Sequence, residues 1–136
     1  MQIAGLEKCS LVDWPGMMAA TVFTPGCNFN CFYCHNHRLI CSGPRAFLPL
    51  AGLLAWLDSR RGLLDGVVIT GGEPTLQQGL ERFIEQVRER GFPVKLDTNG
   101  SRPERLAHLL DANMLDYVAM DVKAPREKYN DVCGLR

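Results

Sequence analysis

Gly66-Val67-Val68-Ile69-Thr70-Gly71-Gly72-Glu73-Pro74 sets the frame of this sequence. Its first five residues form a short β-branched run, the mark of a strand buried on both faces. Two glycines and a proline then end that run. Further on, Leu80, Phe83, Ile84 and Val87 share one helical face, with Gly91 where a C-terminal cap belongs. Pro93–Asp97 reads as another strand, which completes a strand–helix–strand unit. The alternation extends both ways. Upstream, Ala19–Thr24 reads as a strand ended by Pro25-Gly26, followed by a loop from about Gly26 to Pro44. Leu50, Leu53, Leu54 and Leu57 then mark an amphipathic helix. Downstream, Pro103 suits the first turn of a helix carrying Leu106, Leu109 and Leu110. Leu115–Asp121 reads as a fourth strand, and Pro125 opens a further helical turn.

Such units predict an α/β fold with a parallel sheet of about four strands and right-handed crossovers. Ligands of parallel sheets gather at the carboxyl ends of the strands. Those ends read Thr24-Pro25-Gly26-Cys27, Thr70-Gly71-Gly72-Glu73, Asp97-Thr98-Asn99-Gly100 and Asp121-Val122-Lys123. Every unusual polar cluster therefore falls on one edge, which predicts a single site.

The chain has 136 residues, the size of one domain, taken here as residues 1–136. At 46% hydrophobic and 22% charged residues it can build an ordinary core. Fifteen basic residues balance fifteen acidic ones, which gives no footprint for nucleic acid and no polybasic membrane anchor. No run reaches the roughly 18 apolar residues of a membrane span, and the N-terminus lacks the pattern of a signal peptide. The expected location is the cytoplasm, where disulfides are disfavoured and six cysteines call for a metal or redox explanation.

Three of the six fall in Cys27-Asn28-Phe29-Asn30-Cys31-Phe32-Tyr33-Cys34, a C-x3-C-x2-C spacing. Thiolates are the usual ligands of iron–sulfur clusters, and three of them on a four-iron cluster leave one iron open to substrate. Cys31-Phe32-Tyr33-Cys34-His35 also matches the attachment signature of c-type haem, but that chemistry requires export. A thioredoxin-like dithiol at Cys31 and Cys34 would leave Cys27 idle. Structural zinc on Cys27, Cys31, Cys34 and either His35 or His37 stays open on the cysteines alone.

Taken with Gly71-Gly72-Glu73-Pro74, the cysteine spacing resembles the radical S-adenosylmethionine superfamily. Ser10-Leu11-Val12-Asp13-Trp14-Pro15-Gly16, Cys34-His35-Asn36, Asp97-Thr98-Asn99-Gly100 and Met120-Asp121-Val122-Lys123-Ala124-Pro125 narrow this further. They are similar to the glycyl-radical-enzyme activases, most of all the activating proteins of anaerobic ribonucleoside-triphosphate reductase. The resemblance spans essentially the whole chain and leaves zinc a remote reading.

It implies a partial (βα) radical-SAM barrel that is incomplete at the C-terminus, since members continue through further strand–helix units. It also implies a 4Fe–4S cluster on Cys27, Cys31 and Cys34, with S-adenosylmethionine chelating the fourth iron. Reductive cleavage would give a 5′-deoxyadenosyl radical that installs a glycyl radical on a large partner, anaerobic ribonucleotide reductase. Flavodoxin or ferredoxin would donate the electron. A pyruvate formate-lyase-type activase, a small-molecule radical enzyme and a non-enzymatic metal-binding module are the alternatives.

By the same resemblance Tyr33, Gly71, Gly72, Glu73, Asn99 and Lys123 bind the cofactor. Glu73 and its glycines would meet the methionine amino group, Lys123 the carboxylate, and the Tyr33 backbone the adenine. Asp97, Thr98 and Asp121 would hold a monovalent cation with backbone carbonyl help, which would relieve the repulsion of two unpaired carboxylates. Phe29 and Phe32 are expected to shield the cluster from water. His35, Asn36 and His37 are expected to bond to backbone or sulfide, while Cys9, Cys41 and Cys133 are read as ordinary thiols.

Overall fold

A computed structural model describes residues 1–41 and 46–134, with the side chains of Ile40 and Cys41 excepted. The far end of the predicted loop, Pro44, lies outside the described residues, as does the side chain of Cys41. The strands are β1 (Gly5–Ser10), β2 (Ala19–Thr24), β3 (Gly66–Gly71), β4 (Val94–Thr98) and β5 (Tyr117–Met120). The helices are α1 (His37–Cys41), α2 (Leu50–Asp58), α3 (Leu80–Arg88), α4 (Pro103–Asp111) and α5 (Tyr129–Cys133).

All five strands form one sheet in sequence order. β2, β3, β4 and β5 run parallel, while β1 pairs antiparallel with β2. The α/β class and the four parallel strands match the expectation; β1 adds a fifth strand. Its residues, Gly-Leu-Glu-Lys-Cys-Ser, carry two charges and are largely exposed. That polarity blunts a sheet edge and hides the strand from a reading based on apolar runs. α1, only five residues long, lies within the segment that the sequence pattern predicts as loop.

Strand geometry sends alternate side chains to opposite faces, and the two faces here differ in chemistry. Ala20, Val22, Val67, Ile69, Val94 and Leu96 face one way, into the main core. Leu53, Leu54 and Leu57 of α2 meet them there, with Leu80, Phe83, Ile84 and Val87 of α3 and Leu109 of α4. Full burial of a side chain such as Phe83 contributes about 2–3 kcal/mol. The helices thus occupy one face, as in a (βα) barrel segment.

The opposite face carries Ala19, Val68, Lys95 and Asp97, and Trp14 lies across one end of it. Gly66 makes room for that indole, since a Cβ there would sit 2.9 Å from the ring. The segment leading into Trp14 is folded by its own side chains. The Ser10 hydroxyl accepts from the N–H groups of Val12 and Asp13, and Asp13 accepts from the Thr21 hydroxyl at 2.6 Å. The Ser10–Gly16 motif therefore closes the end of the sheet remote from the strands' carboxyl ends. Among the described residues no helix is long and apolar enough to cross a membrane.

Candidate functional site

Backbone bonds between loops distant in sequence build the site. The N–H of Gly72 donates to the Thr24 carbonyl and that of Glu73 to the Gly26 carbonyl, each at 2.8 Å. Gln77 donates to the Pro25 carbonyl at 2.7 Å, and Asn36 returns from the cysteine loop to the Gly71 carbonyl at 3.0 Å. The glycines are required by this approach. A Cβ on Gly72 would lie 1.8 Å from the Gly26 oxygen, and one on Gly71, whose φ is +117°, 2.3 Å from the Thr24 nitrogen. Sequence reading credited the glycines with close approach to a ligand; their nearest neighbour is the backbone that introduces the cysteines.

The carboxyl ends of the parallel strands surround one cavity of about 220 Å³. Cys27, Cys31, Tyr33 and Cys34 line it from the loop after β2, and Gly71 and Gly72 from the end of β3. Asp97, Thr98 and Asn99 line it from β4, and Asp121 and Lys123 from beyond β5. The expected residues thus meet at one place, with the exception of Glu73.

Glu73 is fully buried behind the cavity. Its Oε1 accepts from the Thr75 N–H at 3.0 Å, the Thr75 hydroxyl at 2.5 Å and the Thr98 hydroxyl at 2.8 Å. Its Oε2 accepts from the Asn99 N–H at 2.7 Å. The carboxylate caps the turn Pro74–Leu76 and joins the ends of β3 and β4. Asn99, fixed in this way, reaches the cysteine loop. Its amide lies 3.0 Å from Asn28 Oδ1 and 3.7 Å from the Cys27 sulfur, and Asn28 donates to the Ser101 hydroxyl at 2.9 Å.

Burial pushes the Cys27 thiol above its ordinary range. Cys31 is raised for the same reason and by the Cys133 thiol against it. Among the described residues, no group of three or more His, Cys, Asp or Glu side chains closes around a single ion. The three thiols instead share a cavity that is open on one side, a soft donor set of the kind that suits an iron–sulfur cluster. Across the cavity Asp97 is raised by burial, against the opposing influence of Lys95, whose ammonium donates to it. Burial would lower Lys123, yet Asp121 at 2.5 Å outweighs it and the ammonium titrates above its usual range. The two carboxylates are therefore each paired with a lysine. The expectation of a cation had assumed them unpaired.

Other placements differ from their expectations. Phe29 is buried edge-on against Tyr129, ring centroids 6.1 Å apart, whereas Phe32 is 80% exposed and meets the Tyr33 ring edge-on at 5.2 Å. The Tyr33 ring lines the cavity and its hydroxyl donates to the Lys123 carbonyl at 3.2 Å. Cys9 is exposed, whereas Cys133 on α5 packs with Phe29 and Cys31. Sequence reading overlooked Lys95, although a lysine inside a buried parallel strand is itself a signal.

The family model of the Radical SAM superfamily matches residues 21–136. A "putative glycyl-radical enzyme activating enzyme" of Methanocaldococcus jannaschii is 37% identical over 135 residues, covering 98% of this chain and 55% of that protein. The 7-carboxy-7-deazaguanine synthase of Methanopyrus kandleri is 35% identical over 130 residues, covering 81% of this chain and 51% of that one. Among solved structures, QueE from Escherichia coli superimposes with a TM-score of 0.59 at 22% identity, over 74% of this chain and 52% of the other, a likeness of fold. The chain spans about half the length of the curated relatives it matches. With the family model matched over residues 21–136, a span that holds both the cysteine loop and the glycine loop, the chain belongs to the radical SAM superfamily, whose cofactors are a 4Fe–4S cluster and S-adenosylmethionine.

Proposed function

We propose that this chain carries the cofactor-binding part of a glycyl-radical-enzyme activase, with anaerobic ribonucleoside-triphosphate reductase as its partner and flavodoxin or ferredoxin as its electron donor. The observation that supports this best is the convergence of three thiols, a glycine loop and a lysine on one cavity at the strands' carboxyl ends. Cys27, Cys31 and Cys34 would hold the cluster. When bound, the cluster and S-adenosylmethionine supply a one-electron cleavage that yields a carbon radical able to take hydrogen from a glycine. The protein's own part is to bind and orient. Lys123 carries a positive charge suited to the methionine carboxylate. Gly71 and Gly72 present backbone to the amino group, and the Tyr33 backbone would meet the adenine. Asn99 sits within reach of the Cys27 sulfur, where an amide donor moderates the charge of a bound cluster. Phe29 and Tyr129 exclude water from one side.

Protein reconstituted anaerobically with iron and sulfide should, once reduced, convert S-adenosylmethionine to 5′-deoxyadenosine. Adding anaerobic ribonucleotide reductase should then give the electron-resonance signal of a glycyl radical. 5′-Deoxyadenosine without that signal, while a pyruvate formate-lyase gave it, would redirect the partner. The similarity to 7-carboxy-7-deazaguanine synthase favours a second reading, a small-molecule radical enzyme. Turnover of a nucleobase precursor with no glycyl radical on any partner would establish it.

A further inference from the structure

Lys95 stands in the middle of β4 with 7% of its side chain exposed, and its ammonium lies 5.8 Å from the centre of the Tyr117 ring. Residues two apart on a strand share a face, and this ammonium donates to Asp97 Oδ1. The charge of Asp121 also acts on Asp97. Asp121 is paired with Lys123 at 2.5 Å. Two carboxylates thus meet two ammonium groups, and the charge is already balanced by the protein. Thr98, the third residue expected to hold a monovalent cation, has its carbonyl engaged by the Asp121 N–H at 3.0 Å, and its side chain bonds away from the two carboxylates. Its hydroxyl donates to Glu73 at 2.8 Å and accepts from the Gly100 N–H at 3.2 Å. The residues present do not fit a metal ion at this position. A sodium or potassium ion there would have to compete with an ammonium already hydrogen-bonded to each carboxylate.

We propose that Lys95 is the built-in cation of this site, so that the chain needs no monovalent metal ion between Asp97 and Asp121. Lys95 acts through Asp97 and is a positioning residue: it holds that carboxylate in place on the cavity wall. The consequence for turnover rests on reading the cavity as the S-adenosylmethionine site. The consequence for cation binding rests on the geometry alone.

The test uses the reconstituted chain, with and without S-adenosylmethionine, titrated with thallium(I) as a potassium surrogate and followed by thallium magnetic resonance. The wild type is expected to show no saturable site. Its rate of 5′-deoxyadenosine formation should be the same in potassium, sodium and tetramethylammonium salts. Lys95→Met keeps the length of the stem and removes the charge. It should gain a saturable thallium site and lose activity by about tenfold in tetramethylammonium, the scale of one charged hydrogen bond, with recovery in potassium. Lys95→Arg should stay indifferent to the metal. Stoichiometric thallium on the wild type, or potassium activation of it, would overturn the proposal, as would a folded Lys95→Met variant that gains no site. Should Lys95→Met fail to fold, the wild-type titration decides alone. Absence of 5′-deoxyadenosine in every salt would count against the proposed function and leave that titration to judge Lys95.

Discussion

Replacing Glu73 with glutamine separates two accounts of the Gly-Gly-Glu segment. If Glu73 met the methionine amino group, the variant would fold normally and bind S-adenosylmethionine poorly. The structure leads to the reverse. Glutamine has the same size, so no cavity opens, but it offers one acceptor oxygen where the carboxylate offers two. With that oxygen facing Thr75 and Thr98, the new NH₂ meets the Asn99 N–H, donor against donor. Stranding a buried donor costs roughly 1–3 kcal/mol. The three remaining bonds also lose the strength that a charged acceptor gives them. The total is about 2–4 kcal/mol, within the range for breaking a buried polar network. For a chain of this length that is a fall in Tm of roughly 6–12 °C. Urea unfolding and a thermal scan of the reduced chain measure it, and equilibrium binding of S-adenosylmethionine supplies the other axis. A Glu73→Gln variant within about 0.5 kcal/mol of wild type, yet much weaker in S-adenosylmethionine binding, would refute the argument.

Gly72→Ala should destabilise by about 3 kcal/mol or more, because its Cβ would fall 1.8 Å from the Gly26 oxygen. Displacing the cysteine loop should also lower the iron retained per chain after gel filtration. Cys133→Ser should keep its full iron and sulfide, whereas serine at Cys27, Cys31 or Cys34 should lose the cluster; equal loss from Cys133→Ser would make Cys133 a ligand. Hydrogen bonds from Arg105 hold Glu81 below the usual glutamate range. Its contribution is therefore complete above the unfolded value of about pH 4.3 and disappears as pH falls through the lower folded value. Glu81→Gln should cost under about 1 kcal/mol at neutral pH, the pair being partly exposed, and should flatten the acid limb of urea stability. An unchanged acid limb would show that the ion pair does not form.

The parallel strands were legible because Ala19–Thr24 and Gly66–Thr70 are dense apolar runs between turn residues, and burial on both faces leaves such runs little freedom to be anything else. β1 was illegible for the opposite reason: Glu7 and Lys8 suit an edge, and an edge strand is defined by its partner. The cavity's residues could be gathered from sequence because strand ends converge whatever the details of packing. Their orientations could not. A glutamate after two glycines can turn outward to a ligand or inward to threonine hydroxyls, and Thr75 and Thr98, which decide it, act through space. Lys95 was legible in principle, since its spacing to Asp97 puts both on one face. Phe29 and Phe32, alike in sequence terms, differ in burial, because nearby positions in a loop can point to opposite sides.

The cysteine loop owes its position to residues far from it in sequence. Gly71, Glu73 and Gln77 tie it to β3, Asn99 and Ser101 tie it to β4, and the carbonyl of Cys133 on α5 accepts from the Asn30 N–H at 2.6 Å. A loop held from three sides has less conformational freedom to lose, which would lower the entropy cost if the thiols take up a cluster as proposed. The same ties make the Cys-x3-Cys-x2-Cys spacing insufficient alone. Moved onto a scaffold without the Gly26–Gly72 approach or the Glu73–Asn99 bond, the same three thiols would sample many arrangements, and a single tetrahedral ion could satisfy them as well as a cluster. On the proposed function, selection of a cluster with an open iron would therefore belong to the packing of β3 and β4 against the loop as much as to the cysteines themselves.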